Sequence, residues 1–272
     1  MSNERPGIGL AIVLGVVQGP AELLPISSSA HIALVGGFAG PGWQRLDPEL
    51  AKSFEVALHA GAGVALAVGQ RRRIASELRT AELRRFRLIA LSFLPPAVAG
   101  LAAERAIEQR LRSPQAMAGG LAAGAIGLWL ADRRPRDRGP GEAGDLDGLL
   151  LGLAQAAALV PGVSRGGATL TAARARRFRR EEAHLLSRSV ALPVIAGAAL
   201  LKGARLHRRG IDSRTRLALG AGTLAAFCST LASQRLLSLT ERERALWPFA
   251  AYRLVLAAAL LARQPPALAS GG

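Results

Sequence analysis

The sequence predicts an all-α polytopic membrane protein with six transmembrane helices plus two re-entrant helical hairpins in an inverted repeat. Three observations predict it. Half of the 272 residues are hydrophobic, yet only 4% are aromatic. Ala, Leu, Gly and Val carry the apolar content, which suits helices whose backbones approach closely and suits a β-rich core poorly. Basic residues fall in short clusters between apolar runs, such as Arg71, Arg72, Arg73 and Arg84, Arg85, Arg87. Finally, two apolar segments are broken by Pro, Ser and Gly at matching places in the two halves of the chain.

The six expected spans are Phe54 to Gly69, Phe86 to Ala103, Ala116 to Ala131, Leu185 to Leu201, Leu217 to Leu236 and Trp247 to Ala262. Each is near the ~20 residues that cross a bilayer. Pro95-Pro96 and Pro193 interrupt two of them, which a membrane helix tolerates when neighbours satisfy the freed backbone. The two broken segments cover Ile8 to Phe38 and Leu146 to Ala173. Neither half of either segment is long enough to span, so each reads as a hairpin that dips in and returns. Polar, irregular backbone at that depth must be buried in protein or line a wet cavity, which marks both breaks as candidate sites.

The halves echo one another. Gly15-x-x-Gln18 leads to Pro25 and a Ser run, and Gly152-x-x-Gln155 leads to Pro161 and Ser164; the two glutamines are 137 positions apart. Val56-Ala57-Leu58 recurs as Val190-Ala191-Leu192. A hairpin plus three spans per half inverts the second half relative to the first. Residues 1–131 form the first expected repeat (hairpin 8–38) and residues 146–272 the second (hairpin 146–173), within one membrane domain covering 1–272.

A formal net charge of +16 points to nucleic acid or to a membrane. The clustering of Arg in short inter-span stretches favours the membrane, and no nucleic-acid motif is present. The loops 70–87, 132–147 and 235–246, with Arg174 to Arg180, form the more basic side and are expected in the cytoplasm. The other side carries the N-terminus, 39–53, 104–115, 202–216 and the C-terminus. The single cysteine, Cys228, excludes an intrachain disulfide and a cysteine-based zinc site. No cleavable signal peptide is evident at the start.

The first break runs from Gln18 to His31 and holds Glu22, Ser27, Ser28, Ser29 and His31. An ionisable group inside an apolar segment is a functional hypothesis by default. Ser28 and His31, three apart, share a helical face and form the minimal nucleophile–base pair. A helix starting at the Ser run would also offer free N–H groups to an anion. Alone, His31 would read as a hydrogen-bonded core histidine. The second break, Pro161 to Thr169, adds Ser164, Arg165, Gly166, Gly167 and Thr169. Arg165 is a fixed positive fork for phosphate oxygens, and the glycines let backbone N–H groups approach an anion. Elsewhere such an Arg would read as snorkelling to the interface. Together the two breaks suit phosphoryl transfer, where positioning and charge stabilisation do most of the work.

These residues resemble the undecaprenyl-diphosphate phosphatase family of the bacitracin-resistance type. Gln18 through His31 match its first motif and Pro161 through Thr169 its second. Ala51-Lys52-Ser53-Phe54-Glu55-Val56, Ala191-Leu192-Pro193 and Pro248-Phe249-Ala250-x-Tyr252-Arg253 match stretches between and after them. The resemblance implies a multi-spanning enzyme of the bacterial cell membrane that hydrolyses undecaprenyl diphosphate to the monophosphate, with a site open towards the outer face. It implicates Glu22, Ser28, His31, Ser164, Arg165 and Thr169 in catalysis or phosphate binding, with Glu22, Ser28, His31 and Arg165 expected to be catalytic; the reading of the two breaks adds Ser27, Ser29, Gly166 and Gly167 to the expected phosphate-binding residues. The resemblance also implies a divalent cation, Mg2+ or Ca2+, at Gln18 and Glu22. Expected partners are the polyprenyl diphosphate and membrane lipids, not nucleic acid, with a homodimer left open. The chain departs from the pattern at Gln18, where some members carry Glu, at Ala30, where Gly is usual, and at Gly166, where Ser is usual.

Other readings are testable. A lipid flippase of related inverted-repeat fold would keep Arg165 and the Gly run but not need Ser28 and His31 as a pair. A soluble basic nucleic-acid binder would not partition into membranes. A type-2 phosphatidic acid phosphatase needs a second His with Asp four residues on, but His184 is followed at that spacing by Arg188.

Overall fold

The computed structural model describes residues 7–39, 43, 46–79, 83–111, 113–139, 141–237 and 245–262. The side chain of Arg73 and much of the basic loop 235–246 lie outside the described residues. The described residues form helices and no named strand. The described helices are α1 (Ile8–Leu23), α2 (Ser28–Phe38), α3 (Pro48–Gly69), α4 (Arg71–Arg79), α5 (Leu83–Arg110), α6 (Pro114–Asp132), α7 (Asp145–Ala157), α8 (Arg165–Ala175), α9 (Arg180–Arg209), α10 (Ser213–Ala232) and α11 (Trp247–Ala262). Three are long and apolar enough to cross a membrane: α3, the Leu83–Ala103 part of α5, and α9.

Helices outrun their apolar cores because polar residues cap them. α3 starts at Pro48, six residues before the apolar run, where the Asp47 carboxylate accepts from Leu50 N at 3.0 Å and proline occupies the first turn. Arg209, at the end of α9, donates to that carboxylate at 2.8 Å and holds it below the usual carboxylate range. Ser113 and Asp212 cap α6 and α10 in the same way. α4 forms inside the stretch 70–87 expected to be a loop, because its Arg, Ala, Glu and Leu content favours helix.

The two expected hairpins are helix pairs, α1–α2 and α7–α8, each interrupted at its predicted break. Ser28 and Arg165, the first residues of α2 and α8, are 137 positions apart, as are Ile8 and Asp145, the first residues of α1 and α7. Each hairpin packs its first helix against the opposite half of the chain: α1 against α10, and α7 against α5. Small residues permit the approach. A Cβ on Gly15 would stand 2.4 Å from the Gly222 carbonyl, and one on Gly148 would stand 2.6 Å from the Leu88 carbonyl. Leu14, Phe54, Leu58 and Ala226 fill the core around α1, and Leu88, Leu128, Leu151 and Leu186 fill the one around α7.

Prolines inside helices free specific carbonyls, and polar side chains take them. Pro96 leaves the Ser92 carbonyl without its helical donor, and Gln155 Nε2 donates there at 3.1 Å. Pro20 likewise frees Val16 O, which accepts from Ser229 Oγ at 2.7 Å. Both bonds stitch a hairpin to the helix it packs on, as polar groups do between membrane helices.

The basic end of the bundle is locked by ion pairs. Asp132 accepts from Arg180 at 2.6 and 2.8 Å, from Arg174 at 3.3 Å and from Leu246 N at 3.0 Å. Asp147 accepts two bonds from Arg138 and one from Arg176. Part of the basic stretch 174–180 is therefore structural: Arg174 is fully buried and Arg180 nearly so.

Backbone contact at Gly15 sets a clear contrast. Gly15→Ala has to push a carbonyl aside and should cost about 1–3 kcal/mol. Gly119→Ala, where an added Cβ meets nothing within 4 Å, should gain up to about 1 kcal/mol from helix propensity. Thermal unfolding in detergent reads both; equal midpoints would refute close packing at Gly15.

Candidate active site

The chain breaks after α1, where Leu24 turns extended and Ser27 adopts a left-handed φ of 72° before α2 begins. The second break repeats this: Gly162 has φ 88°, and Ser164, with φ 65°, caps α8 by accepting from Gly167 N at 3.2 Å. The first N–H groups of α2 and α8 have no partner within their helices, and the positive ends of both helix dipoles lie at the breaks.

The breaks meet. Arg165 Nη2 is ion-paired with Glu22 Oε1. The other oxygen, Oε2, accepts from Gln18 Nε2 at 3.0 Å and Ser28 Oγ at 3.1 Å, with His59 Nδ1 at 2.8 Å. The Glu22 carboxylate is 3% exposed, so this partner set is what makes its burial tolerable. Because a carboxylate only accepts, the hydroxyl hydrogen of Ser28 points at Glu22.

Glu22, Ser28, Ser29, Ser164, Arg165 and Gly166 line one cavity of about 610 Å³. It continues as an apolar groove between α5 and α9, past Phe93, Pro96, Val194 and Ile195. It also reaches Trp43, Lys52, Ile107 and Lys202, on the less basic side of the chain.

The remaining expected residues are engaged otherwise. His31 Nδ1 donates to the Ser27 carbonyl at 2.7 Å, its Nε2 accepts from the Tyr252 hydroxyl at 2.7 Å, and its ring stacks on Tyr252 at 5.6 Å. The Ser28–His31 pair read from spacing is thus parted, each side chain turned to a different partner. Ser27 is buried, with its hydroxyl 3.2 Å from that of Ser29. Thr169 is fully buried, its hydroxyl donating to the Arg165 carbonyl at 2.9 Å and lying 2.6 Å from Ser187 Oγ. The Gly167 N–H is spent on the Ser164 cap.

Sequence reading did not single out His59. It bridges Glu22 and Glu55, whose Oε1 lies 3.8 Å from Nε2, and Glu55 pairs with Lys52 at 3.0 Å. Lys52, Glu55 and His59 lie at helical spacing on one face of the otherwise apolar α3, a signal that charge alone could have revealed. Among the described residues no group of three or more His, Cys, Asp or Glu is arranged to hold a metal ion. Glu22 and Glu55 nevertheless flank one ring, and Gln18 Oε1 is buried without a partner. The His59 ring stands between the two carboxylates, so a divalent ion would be met by Glu22 and Gln18, with phosphate and water completing its shell.

Fold and site together define an integral membrane protein whose broken helices converge on one cavity lined by Glu22, Ser28 and Arg165. The family model described as "Bacitracin resistance protein BacA" matches residues 11–259, and the chain belongs to that family. It is 39% identical to an undecaprenyl-diphosphatase of Geobacter sulfurreducens over 267 residues, covering 93% of this chain and 96% of the relative. Another undecaprenyl-diphosphatase, from Moorella thermoacetica, is 39% identical over 261 residues with the same coverage. One from Alcanivorax borkumensis is 37% identical over 265 residues, covering 92% and 97%.

The site is open at Gly166, where an added Cβ meets nothing within 4 Å, whereas one on Gly167 would stand 2.6 Å from Arg253 Nη1. Gly166→Ser should leave the unfolding midpoint unchanged or slightly raised, by up to about 1 kcal/mol, while Gly167→Ser lowers it. The reverse order in a detergent melt would contradict the position of α8.

Proposed function

We propose that this protein hydrolyses undecaprenyl diphosphate to undecaprenyl phosphate and inorganic phosphate in the bacterial cell membrane. The observation that carries this reading is the Glu22–Arg165 contact, which puts an acid, a hydroxyl, a guanidinium and two helix N-termini around one cavity with an apolar groove leading away. The headgroup sits between the two breaks and the polyprenyl tail in the α5–α9 groove. The architecture behind it is six spans and two re-entrant hairpins in an inverted repeat of residues 1–131 and 146–272. The 137-residue spacing of both hairpins and their reciprocal packing support that plan. The basic end, with Arg138, Arg174 and Arg180, faces the cytoplasm, so the cavity opens outward.

In this mechanism Arg165 shifts from Glu22 towards the terminal phosphate, helped by Ser29, the Ser164 hydroxyl and the Gly166 N–H. Ser28 Oγ attacks the terminal phosphorus as its proton passes to Glu22. The bridging P–O bond breaks, and its electron pair leaves on undecaprenyl phosphate, which takes the proton from Glu22. Water then attacks the phosphoserine and gives its proton to Glu22. The Oγ–P bond breaks and Glu22 returns the proton to Ser28. The 3.1 Å Ser28–Glu22 bond supports Glu22 as the base. His31, held by Ser27 and Tyr252, keeps the first break in shape. Glu22 and Gln18 would hold a divalent cation, Mg2+ or Ca2+, which would supply charge neutralisation at the phosphates.

Phosphate release from undecaprenyl diphosphate by detergent-purified protein tests the reading directly. Glu22→Gln should lower kcat by about 10²–10⁴-fold and Arg165→Ala by about 10²–10³-fold, with His31→Ala milder than either. Full activity in the Glu22 or Arg165 variant rejects the site; Ser28→Ala retaining most activity assigns the attack to water. EDTA should abolish turnover and added Mg2+ or Ca2+ restore it, and unimpaired turnover in EDTA rejects the cation.

A further inference from the structure

Arg253, on α11, is 0% exposed. No carboxylate pairs with it among the described residues. Its Nη2 donates to the carbonyls of Gly162 at 3.3 Å and Val163 at 2.8 Å, while its Nε and Nη1 have no hydrogen-bond partner. A guanidinium cut off from water, with three of its five N–H donors unsatisfied and without a counter-ion, is among the costliest groups to bury. An apolar side chain of similar length would fill the space without that cost.

The surroundings are shaped for this group. A Cβ on Gly124 of α6 would stand 2.0 Å from Nη2, and one on Gly167 would stand 2.6 Å from Nη1. Two helices have thus been cut back to glycine around one guanidinium. Its two acceptors belong to the second break, where Gly162 and Ser164 both hold left-handed φ values, and the next residue is Arg165. The charge also lies beneath the first turn of α8, on the same side as the positive end of that helix.

We propose that Arg253 is a positioning residue for the diphosphate. It pins the 162–163 turn so that Arg165 is aimed into the cavity, and its positive charge is balanced when the anionic headgroup binds at the N-terminus of α8. The proposal rests on the phosphatase reading for its substrate, but its geometry is independent of the chemical step.

The test compares detergent-purified wild type with Arg253→Met, Arg253→Lys and Gly124→Ala, the last displacing the guanidinium from a different helix. Two quantities are read at equal amounts of folded protein: kcat and KM on undecaprenyl diphosphate, and the rise in unfolding temperature caused by inorganic phosphate. Arg253→Met is expected to lower kcat/KM about a hundredfold and to lose the phosphate-induced rise. Arg253→Lys keeps the charge and regains much of that rise, yet stays about tenfold down in kcat because its shorter stem and lack of a planar fork leave the ammonium out of register with the two carbonyls that Nη2 reaches. Gly124→Ala should move both readings in the direction of Arg253→Met.

Values within about twofold of wild type for Arg253→Met would overturn the proposal. So would three variants that lose activity only in proportion to lost folded protein, or that cannot be recovered folded at all, since Arg253 would then serve the fold alone. If wild type releases no phosphate but is still stabilised by it through Arg253, the phosphatase reading fails and the anion-positioning role stands.

Discussion

The contact between Glu22 and Arg165 is the constraint on which the rest depends. Neither group is tolerable alone at that depth, because an ionised side chain removed from water needs a close partner and further hydrogen bonds. Breaking such a buried pair costs about 3–5 kcal/mol. Each break lends one member, so the pair ties the two hairpins together. Ser28, Gln18 and His59 complete the shell of Glu22. The cost of the pair becomes a means of bringing two distant stretches of chain to a single point.

The same logic runs through the backbone. Pro20 and Pro96 each leave a carbonyl without its helical donor, and Ser229 and Gln155 supply it from a helix of the other half. Arg253, within the second half, donates to the carbonyls of Gly162 and Val163 at the break itself. In an apolar surrounding an unsatisfied carbonyl is costly, so each irregularity selects its neighbour. The hairpins are held by these specific bonds as well as by close small-residue packing.

Much of this was legible in the chain. The two breaks announce themselves because Pro, Ser and Gly interrupt apolar runs too short to span, and the motifs around Glu22 and Arg165 carried the family resemblance. Helix ends were less legible, since Asp47, Ser113 and Asp212 extend helices beyond their apolar runs. α4 was hidden by its charge. The partner of His31 is Tyr252, 221 positions away, and spacing on one helix cannot reveal it. Spacing along α2 suggested Ser28 as the partner instead. The role of Arg253 was missed for the same reason, because it lies in what the side chain touches, whereas His59 was marked by the charges of Lys52 and Glu55 on its own face.

The matched breaks have a consequence for how such a site arises. At the 137-residue offset shared by the hairpins, the counterpart of Glu22 is Leu159 and that of Arg165 is Ser28. Two identical halves would have set like against like, acid facing acid or guanidinium facing guanidinium, and the pocket would have repelled itself. Covalent fusion removes that symmetry requirement. In a single chain one break can carry the carboxylate and the other the guanidinium, an asymmetry that identical halves do not have.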